Sequence, residues 1–233
     1  MTQGRLHPVS IALRDIAEIF GRMGFGIAYG PELEDEFHNF DGLNVPADHS
    51  ARDMQDTFWI KDKPGHVLRT HTTSVTIREL EKMAKAGETE KRMINPGKVF
   101  RNESTDQFHE AQFFQYDGFA AGPGVTLATL KGTFTELYRE YLGPNAQVRF
   151  RPSYFPFVEP GVEVDVWFEP EGKEGRWLEM AGAGMLHAAA KSHDQDHRYA
   201  QPSVIPARFL RRNAGQQRIR NRLLAQSPDR LGG

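Results

Sequence analysis

The sequence predicts an α+β fold, a mainly antiparallel sheet flanked by helices, on three observations. Three stretches carry apolar residues at helical spacing, several extended runs cluster in the second half joined by short polar turns, and helices do not alternate regularly with strands. In order, Ala12, Ile16, Ile19, Phe20 and Met23 recur at the spacing of one helical face, and Gly24 follows as a stop. A short strand around Phe25 to Ala28 runs into the turn Gly30-Pro31. Residues 32–57 are polar and broken, with short helical stretches expected near 33–40 and 50–55, and Leu68 to His71 ends another extended piece. Between Thr73 and Ala86, Ile77, Leu80 and Met83 give a second amphipathic helix, closed by Gly87.

The period then changes. Lys98 to Glu103 and Gln112 to Ala121 read as extended segments joined by the polar loop Ser104 to Glu110. Leu127, Leu130, Phe134, Leu137 and Tyr141 mark a third helix ending at Gly143. Gln147 to Arg151, Val162 to Phe168 and Arg176 to Met180 read as strands, and no internal repeat is visible.

Composition bounds the function classes. The 233 residues fit one large domain, and 39% hydrophobic with 26% charged residues is ordinary for a globular chain. No apolar run approaches the roughly 18 residues of a membrane span, and the N-terminus has no basic segment followed by an apolar one, so no membrane partner is expected and the cytoplasm is the default compartment. Cysteine is absent, which removes disulfides and thiolate metal sites. The net charge of -2 hides an asymmetry: residues 188–233 carry nine Lys and Arg against three Asp, leaving the first 187 residues at -8. So acidic a body holds phosphates only through local patches, the tail or a partner.

The chemistry-bearing residues concentrate on one candidate hairpin. Val99-Phe100-Arg101-Asn102-Glu103, then Phe108-His109, then Phe113-Phe114-Gln115-Tyr116-Asp117-Gly118 would bring an arginine, a carboxylate, a histidine and a glutamine to one mouth. That set suits a nucleotide, with guanidinium for phosphate oxygens, carboxylate for an amine and an aromatic face for a base. An ordinary surface ion pair between Arg101 and Glu103 reads the same way at this level, and Phe113 reads equally as plain core.

The pattern of strand, Arg-x-Glu, variable loop and aromatic-rich strand resembles motif 2 of the class II aminoacyl-tRNA synthetases. Arg69-Thr70-His71-Thr72-Thr73 and Arg149-Phe150-Arg151-Pro152-Ser153-Tyr154-Phe155-Pro156-Phe157-Val158-Glu159-Pro160 are similar to signatures of the phenylalanyl-tRNA synthetase alpha-subunit family. Asn39 to Asn44, Asp48 to Arg52, Asp56 to Trp59 and Gly182 to His187 support it, in the family's order and over about four fifths of the chain.

The resemblance implies ATP-dependent activation of phenylalanine and its transfer to the cognate tRNA, with ATP as substrate, Mg²⁺ as cofactor and a beta subunit as partner in an alpha2beta2 assembly. It implies that Arg101, Glu103 and His109 bind ATP and serve catalysis, with Phe113 stacking the adenine. It implies an amino-acid cavity lined by Trp59, His71, Thr73, Gln115, Asp117, Phe155, Phe157, Val158 and Ala183, in which Gln115 and Asp117 hold the ammonium group. Phe155 and Phe157, two apart on an extended segment, should project to one side and take the phenyl ring. Glu159 matches a glutamate that binds Mg²⁺ at the interface with the beta subunit. A core aromatic pair and a solvated glutamate are the ordinary readings of those residues taken alone.

Three departures from the family stand out. The helical arm expected before the core is missing, since His7-Pro8 already matches it. Thr73-Ser74 and Thr76 replace a Ser-Pro and a glutamine, and Asp117 replaces a glutamate. Finally, nothing in residues 188–233 reproduces motif 3 and its arginine. The expected division is therefore 1–187, an incomplete catalytic core, and 188–233, a basic non-matching tail: a reading-frame artefact or replaced C-terminus on one reading, a substitute wall or RNA-binding segment on the other. His193, Asp194, Asp196 and His197 read as a solvated stretch of that tail. The alternative to ligase activity is a non-catalytic synthetase-like module that binds an amino acid or nucleotide.

Overall fold

A computed structural model describes residues 6–52, 57–102, 111–169 and 174–187. Glu103, His109 and the whole 188–233 segment lie outside the described residues. Helix α1 spans Pro8–Arg22; its proline occupies the first turn, where no amide is missed, and His7 Nδ1 accepts from Val9 N at 3.2 Å. The short strands β1 (Gly26–Ile27) and β2 (Leu33–Asp35) follow, then α2 (Glu36–Asn39), 3-10 turns at Asp41–Leu43 and Ser50–Arg52, and β3 (His66–Leu68). Helix α3 (Thr73–Ala86) closes on Gly87, whose φ of 66° is the left-handed cap that favours glycine. Strands β4 (Lys91–Phe100) and β5 (Gln112–Ala121), helix α4 (Leu127–Leu142) and strands β6 (Val148–Phe155), β7 (Val158–Phe168) and β8 (Arg176–Leu186) complete the order.

The α+β prediction holds, with one parallel pair in it. β4 and β5 form a ten-residue antiparallel ladder, and β1 adds to β4 in parallel. β6, β7 and β8 form a second antiparallel sheet, and β2 pairs β3. One apolar core joins the two larger sheets: Ile94, Tyr116 and Ala120 meet Val162, Val164, Val166, Ala181 and Ala183 beneath Ile16 and Phe20 of α1 and Leu130, Phe134 and Tyr138 of α4. α3 covers the opposite face, where Leu80 and Met83 pack on Phe119 and Ala121. Because side chains alternate along β5, Phe113, Gln115 and Asp117 share the face of Phe119 under α3, while Tyr116 and Ala120 face α1 and α4. Among the described residues no helix is long and apolar enough to cross a membrane.

Strands β6, β7 and β8 are longer than their sequence patterns indicate. Arg149 and Arg151 converge on the buried Asp165: Arg149 Nη2 donates to Oδ2 at 2.7 Å, Arg151 Nε to Oδ2 at 2.5 Å and Arg151 Nη2 to Oδ1 at 3.0 Å. Those bonds hold Asp165 below the usual carboxylate range, the Arg151 bond first, against burial.

Candidate active site

The segment from Arg69 to Thr73 is fastened on every side. Arg69 is buried; its Nε donates to Lys98 O at 2.8 Å and its Nη1 to Gly30 O at 3.1 Å. The guanidinium lies so close over Gly97 that a Cβ there would sit 2.1 Å from Nη2. Burial draws the Arg69 pKa down, and Glu32, Glu34 and Asp117 oppose that shift. Next in the chain, Thr70 is held by Asn39, which takes its N–H on Oδ1 and donates Nδ2 to Oγ1, both at 3.1 Å. The Asn39 carbonyl lies 2.9 Å from His71 Nε2, and because a carbonyl only accepts, that nitrogen carries the proton.

Arg101 follows the end of β4, where its own N–H extends the hairpin by donating to Ala111 O at 2.9 Å. Its Nε donates to Thr70 O at 3.2 Å, and its guanidinium carbon lies 5.3 Å from the centre of the Phe113 ring. Thr70 is thus the link between Asn39 and Arg101. One turn along, Gln115 Oε1 accepts Thr72 N at 3.2 Å, and Asp117 Oδ2 accepts the hydroxyls of Thr73 at 2.6 Å and Thr72 at 3.1 Å. A carboxylate at the start of α3 also suits the positive end of the helix.

The aromatic residues meet from three elements. Trp59 bridges to Val67 and stacks on Phe40 with centroids 6.2 Å apart. Phe157 packs on the same cluster of Phe40, Leu43, Val45, Val67 and Ile77. Phe155 and Phe157 do not share one extended segment: Phe155 ends β6, and Pro156-Phe157 is the turn into β7, because Val158 already pairs back on Phe155. Their rings still come within 6.1 Å at an interplanar angle of 34°. Asn44, in the left-handed conformation at φ 55°, ties that turn down by donating Nδ2 to Pro156 O at 2.7 Å.

The remaining sequence-predicted residues fall as follows. Val158 is buried opposite Leu186. The Ala183 side chain is in the core under α1 and α4, because it alternates with Gly182, over which the Phe155 ring lies. The floor beneath Phe155 is therefore Gly182, at which a Cβ would stand 2.6 Å from the ring. Glu159 is largely exposed and pairs with His187 Nε2 at 3.1 Å. Asn39, Asn44 and Arg69 carry no signal of their own in composition or periodicity; only the runs that contain them mark the segments.

These residues comprise a partly buried arginine, a polar layer under the start of α3 and an aromatic cluster. The family described as tRNA synthetases class II core domain (F) matches residues 1–199. The chain belongs to that class II synthetase core family. Proteins named phenylalanine–tRNA ligase alpha subunit are similar to it: that of Deinococcus radiodurans is 46% identical over 184 residues, covering 79% of this chain and 52% of the relative. That of Neisseria meningitidis serogroup A is 48% identical over 185 residues, covering 79% and 53%. That of Xanthomonas oryzae pv. oryzae is 47% identical over 186 residues, covering 79% and 54%. The class II core chain thus spans about half the length of the curated relatives it matches.

The family's use of a divalent cation turns attention to the carboxylates. Among the described residues, Glu34, Asp35 and His38 are the group of three that converges within 4.8 Å. Arg78 pairs with both Glu34 and Asp35, so both carboxylates of that cluster are already engaged in an ion-pair network. Glu159 offers an exposed carboxylate, the right donor type for magnesium. It fits as one ligand of a hydrated ion.

Proposed function

We propose that this chain is the catalytic core of a phenylalanine–tRNA ligase alpha subunit. The observation that supports it most is the shared anchor: Arg101 and the His71–Thr73 segment hang on the same Thr70, so the guanidinium and the polar layer of Gln115 and Asp117 are held in fixed relation.

In the first step a phenylalanine carboxylate oxygen attacks the α-phosphorus of ATP in line. The bond from that phosphorus to the bridging oxygen breaks, and pyrophosphate leaves. Arg101 binds the α-phosphate and neutralises charge as it spreads in the transition state. Glu103 and His109 complete the nucleotide contacts, with Phe113 under the adenine. Gln115 and Asp117 hold the ammonium, while Trp59, His71 and Thr73 line the cavity and fix its polar rim. Phe155 and Phe157 take the phenyl ring, with Val158 behind them and Gly182, rather than Ala183, as the floor. In the second step a ribose hydroxyl of the tRNA's terminal adenosine attacks the activated carbonyl carbon, and AMP leaves. Positioning supplies much of the rate in such displacements, because both reactants are held in attack geometry beforehand. Glu159 would hold Mg²⁺ at the interface with the beta subunit, where the ion would offset carboxylate charge.

The names of the relatives support a beta subunit and tRNA as partners; the alpha2beta2 assembly and the cytoplasmic location are proposed on the motif resemblance alone. Residues 188–233 are proposed as a basic segment separate from the 1–187 core, on their change of composition.

The test is phenylalanine-dependent exchange of pyrophosphate into ATP by the purified full chain assembled with the beta subunit. Exchange that requires phenylalanine supports the ligase. A folded assembly that binds phenylalanine or ATP without exchanging supports the non-catalytic module instead.

A further inference from the structure

The polar layer under α3 contains an acceptor that none of the described residues uses. Asn95 is wholly buried on β4, its Nδ2 donates to Thr76 Oγ1 at 2.9 Å, and its Oδ1 has no hydrogen-bond partner among the described residues. Folded proteins rarely leave a buried carbonyl unmatched. Asn95 stands directly across the ladder from Asp117, so the two side chains leave the same face, about 5 Å apart at Cβ. Thr76 comes down from α3 and takes the nitrogen end of the amide, which leaves the oxygen end uncommitted. The neighbouring acceptors are already engaged, Gln115 Oε1 with Thr72 N and Asp117 Oδ2 with two hydroxyls. An ammonium group has three donors to place, and an unengaged amide oxygen beside a carboxylate is a natural place for one of them.

We propose that Asn95 is a further substrate-recognition residue, its Oδ1 accepting a hydrogen bond from the ammonium group of the amino acid. Thr76 is the positioning residue that orients this amide. The proposal rests on the reading of Gln115 and Asp117 as the ammonium site.

The experiment measures the phenylalanine KM in pyrophosphate exchange, and inhibition by 3-phenylpropionate, which has the ring and carboxylate but no ammonium. The protein is the full chain assembled with its beta subunit. Asn95→Ala is expected to raise the phenylalanine KM roughly 10- to 100-fold, as loss of a charge-assisted hydrogen bond does. The ATP KM and the inhibition constant of 3-phenylpropionate should stay within about twofold, since neither involves the lost contact. Asn95→Ala combined with Thr76→Gln, which grows an amide into the same space from α3, should recover at least a tenfold part of that loss. Asn95→Ser, with its shorter reach, replaces Asn95→Ala if the alanine variant does not fold, and the same loss is expected.

An unchanged phenylalanine KM, or equal weakening toward phenylalanine and 3-phenylpropionate, overturns the proposal and assigns Asn95 to packing or to a buried water. Absence of phenylalanine-dependent exchange in the unsubstituted assembly overturns the ligase reading and this inference together. Exchange in the unsubstituted assembly with an unaffected Asn95 variant overturns this inference alone.

Discussion

Thr73, the first residue of α3, donates its hydroxyl to Asp117 of β5 at 2.6 Å, and this bond fixes the helix start to the strand that carries Gln115. Thr72 adds its own hydroxyl and N–H to the same two residues, so the helix cannot shift without breaking three bonds to one strand. Thr73→Val removes the shortest of them and leaves a buried carboxylate less well satisfied. Loss of about 1.5–3 kcal/mol is expected, as for a hydrogen bond to a charged group, read as a lower midpoint in denaturant with an unchanged slope.

Arg101 is partly buried, its Nε bonds a backbone carbonyl and its guanidinium lies 5.3 Å from the centre of the Phe113 ring, so its removal lowers stability somewhat. Its larger effect belongs in the rate. Arg101→Ala is expected to lower kcat for pyrophosphate exchange by ~100-fold or more while the phenylalanine KM stays nearly constant. Arg101→Lys keeps the charge without the fork and should fall between. Steady-state exchange kinetics of both variants check this, and undiminished exchange in Arg101→Ala removes Arg101 from the α-phosphate.

Asn39 acts on the same guanidinium at one remove. It is fully buried and holds Thr70 at both N and Oγ1, and Thr70 O holds Arg101. Asn39→Ala is therefore expected to lower kcat about tenfold where Arg101 is present, a cost of ~1.4 kcal/mol, and to add little where Arg101 is already alanine. A double-mutant cycle reads that coupling; additive effects would mean that Asn39 serves only folding.

Gly182 sets the height of the Phe155 ring. With a Cβ there 2.6 Å from the ring, Gly182→Ala must push Phe155 away from the strand. The phenylalanine KM should rise roughly tenfold, the scale of lost packing in an apolar pocket, with the ATP KM unchanged. Phenylalanine titration of exchange velocity gives the answer, and an unchanged KM takes Phe155 out of the amino-acid cavity.

Asp165 makes acid stability of the β6–β8 sheet testable. The Arg151 bond, opposed by burial and helped by Arg149, holds its pKa below the ordinary value of about 3.9. A carboxyl with a depressed folded pKa contributes stability that is present above its unfolded pKa and is lost as pH falls through the folded one. Both guanidinia are about two fifths exposed, at 41% and 43%, so water weakens the pairing. Asp165→Asn should lower stability at neutral pH by roughly 1.5–3 kcal/mol and flatten the loss below about pH 4. Denaturation midpoints from neutral pH to well below about pH 4 measure it; parallel curves for the two proteins would show that Asp165 does not titrate with folding.

Helices were the most legible part of the sequence because a single face carries their signal. The spacing of Ile77, Leu80 and Met83 with Gly87 behind them gives the bounds Thr73–Ala86, and α4 follows in the same way from Leu130, Phe134 and Leu137 before Gly143. Strand ends were less legible, since pairing rather than composition sets them: β8 continues to Leu186 because Val158 pairs with it. For the same reason Phe155 and Phe157 fall on either side of a strand end instead of along one strand. The arginine pair on Asp165 joins residues 14 and 16 positions apart, which no local period records. Within the site, Arg101, Gln115 and Asp117 came from motif resemblance, which also marked the run Asn39 to Asn44, whereas the bonds that give Asn39, Asn44 and Asn95 their work are legible only in three dimensions, as amides committed to partners from other elements.

The most direct test of the proposed chemistry is a crystal structure of the assembled protein with a non-hydrolysable phenylalanyl-adenylate, in which a sulfamoyl group stands for the α-phosphate. The phenyl ring is expected against Phe155 and Phe157, the sulfamoyl oxygens on the Arg101 guanidinium, and the ammonium beside Asp117. A ligand seated on the α1–α4 face, or one whose sulfamoyl group lies away from Arg101, would contradict it.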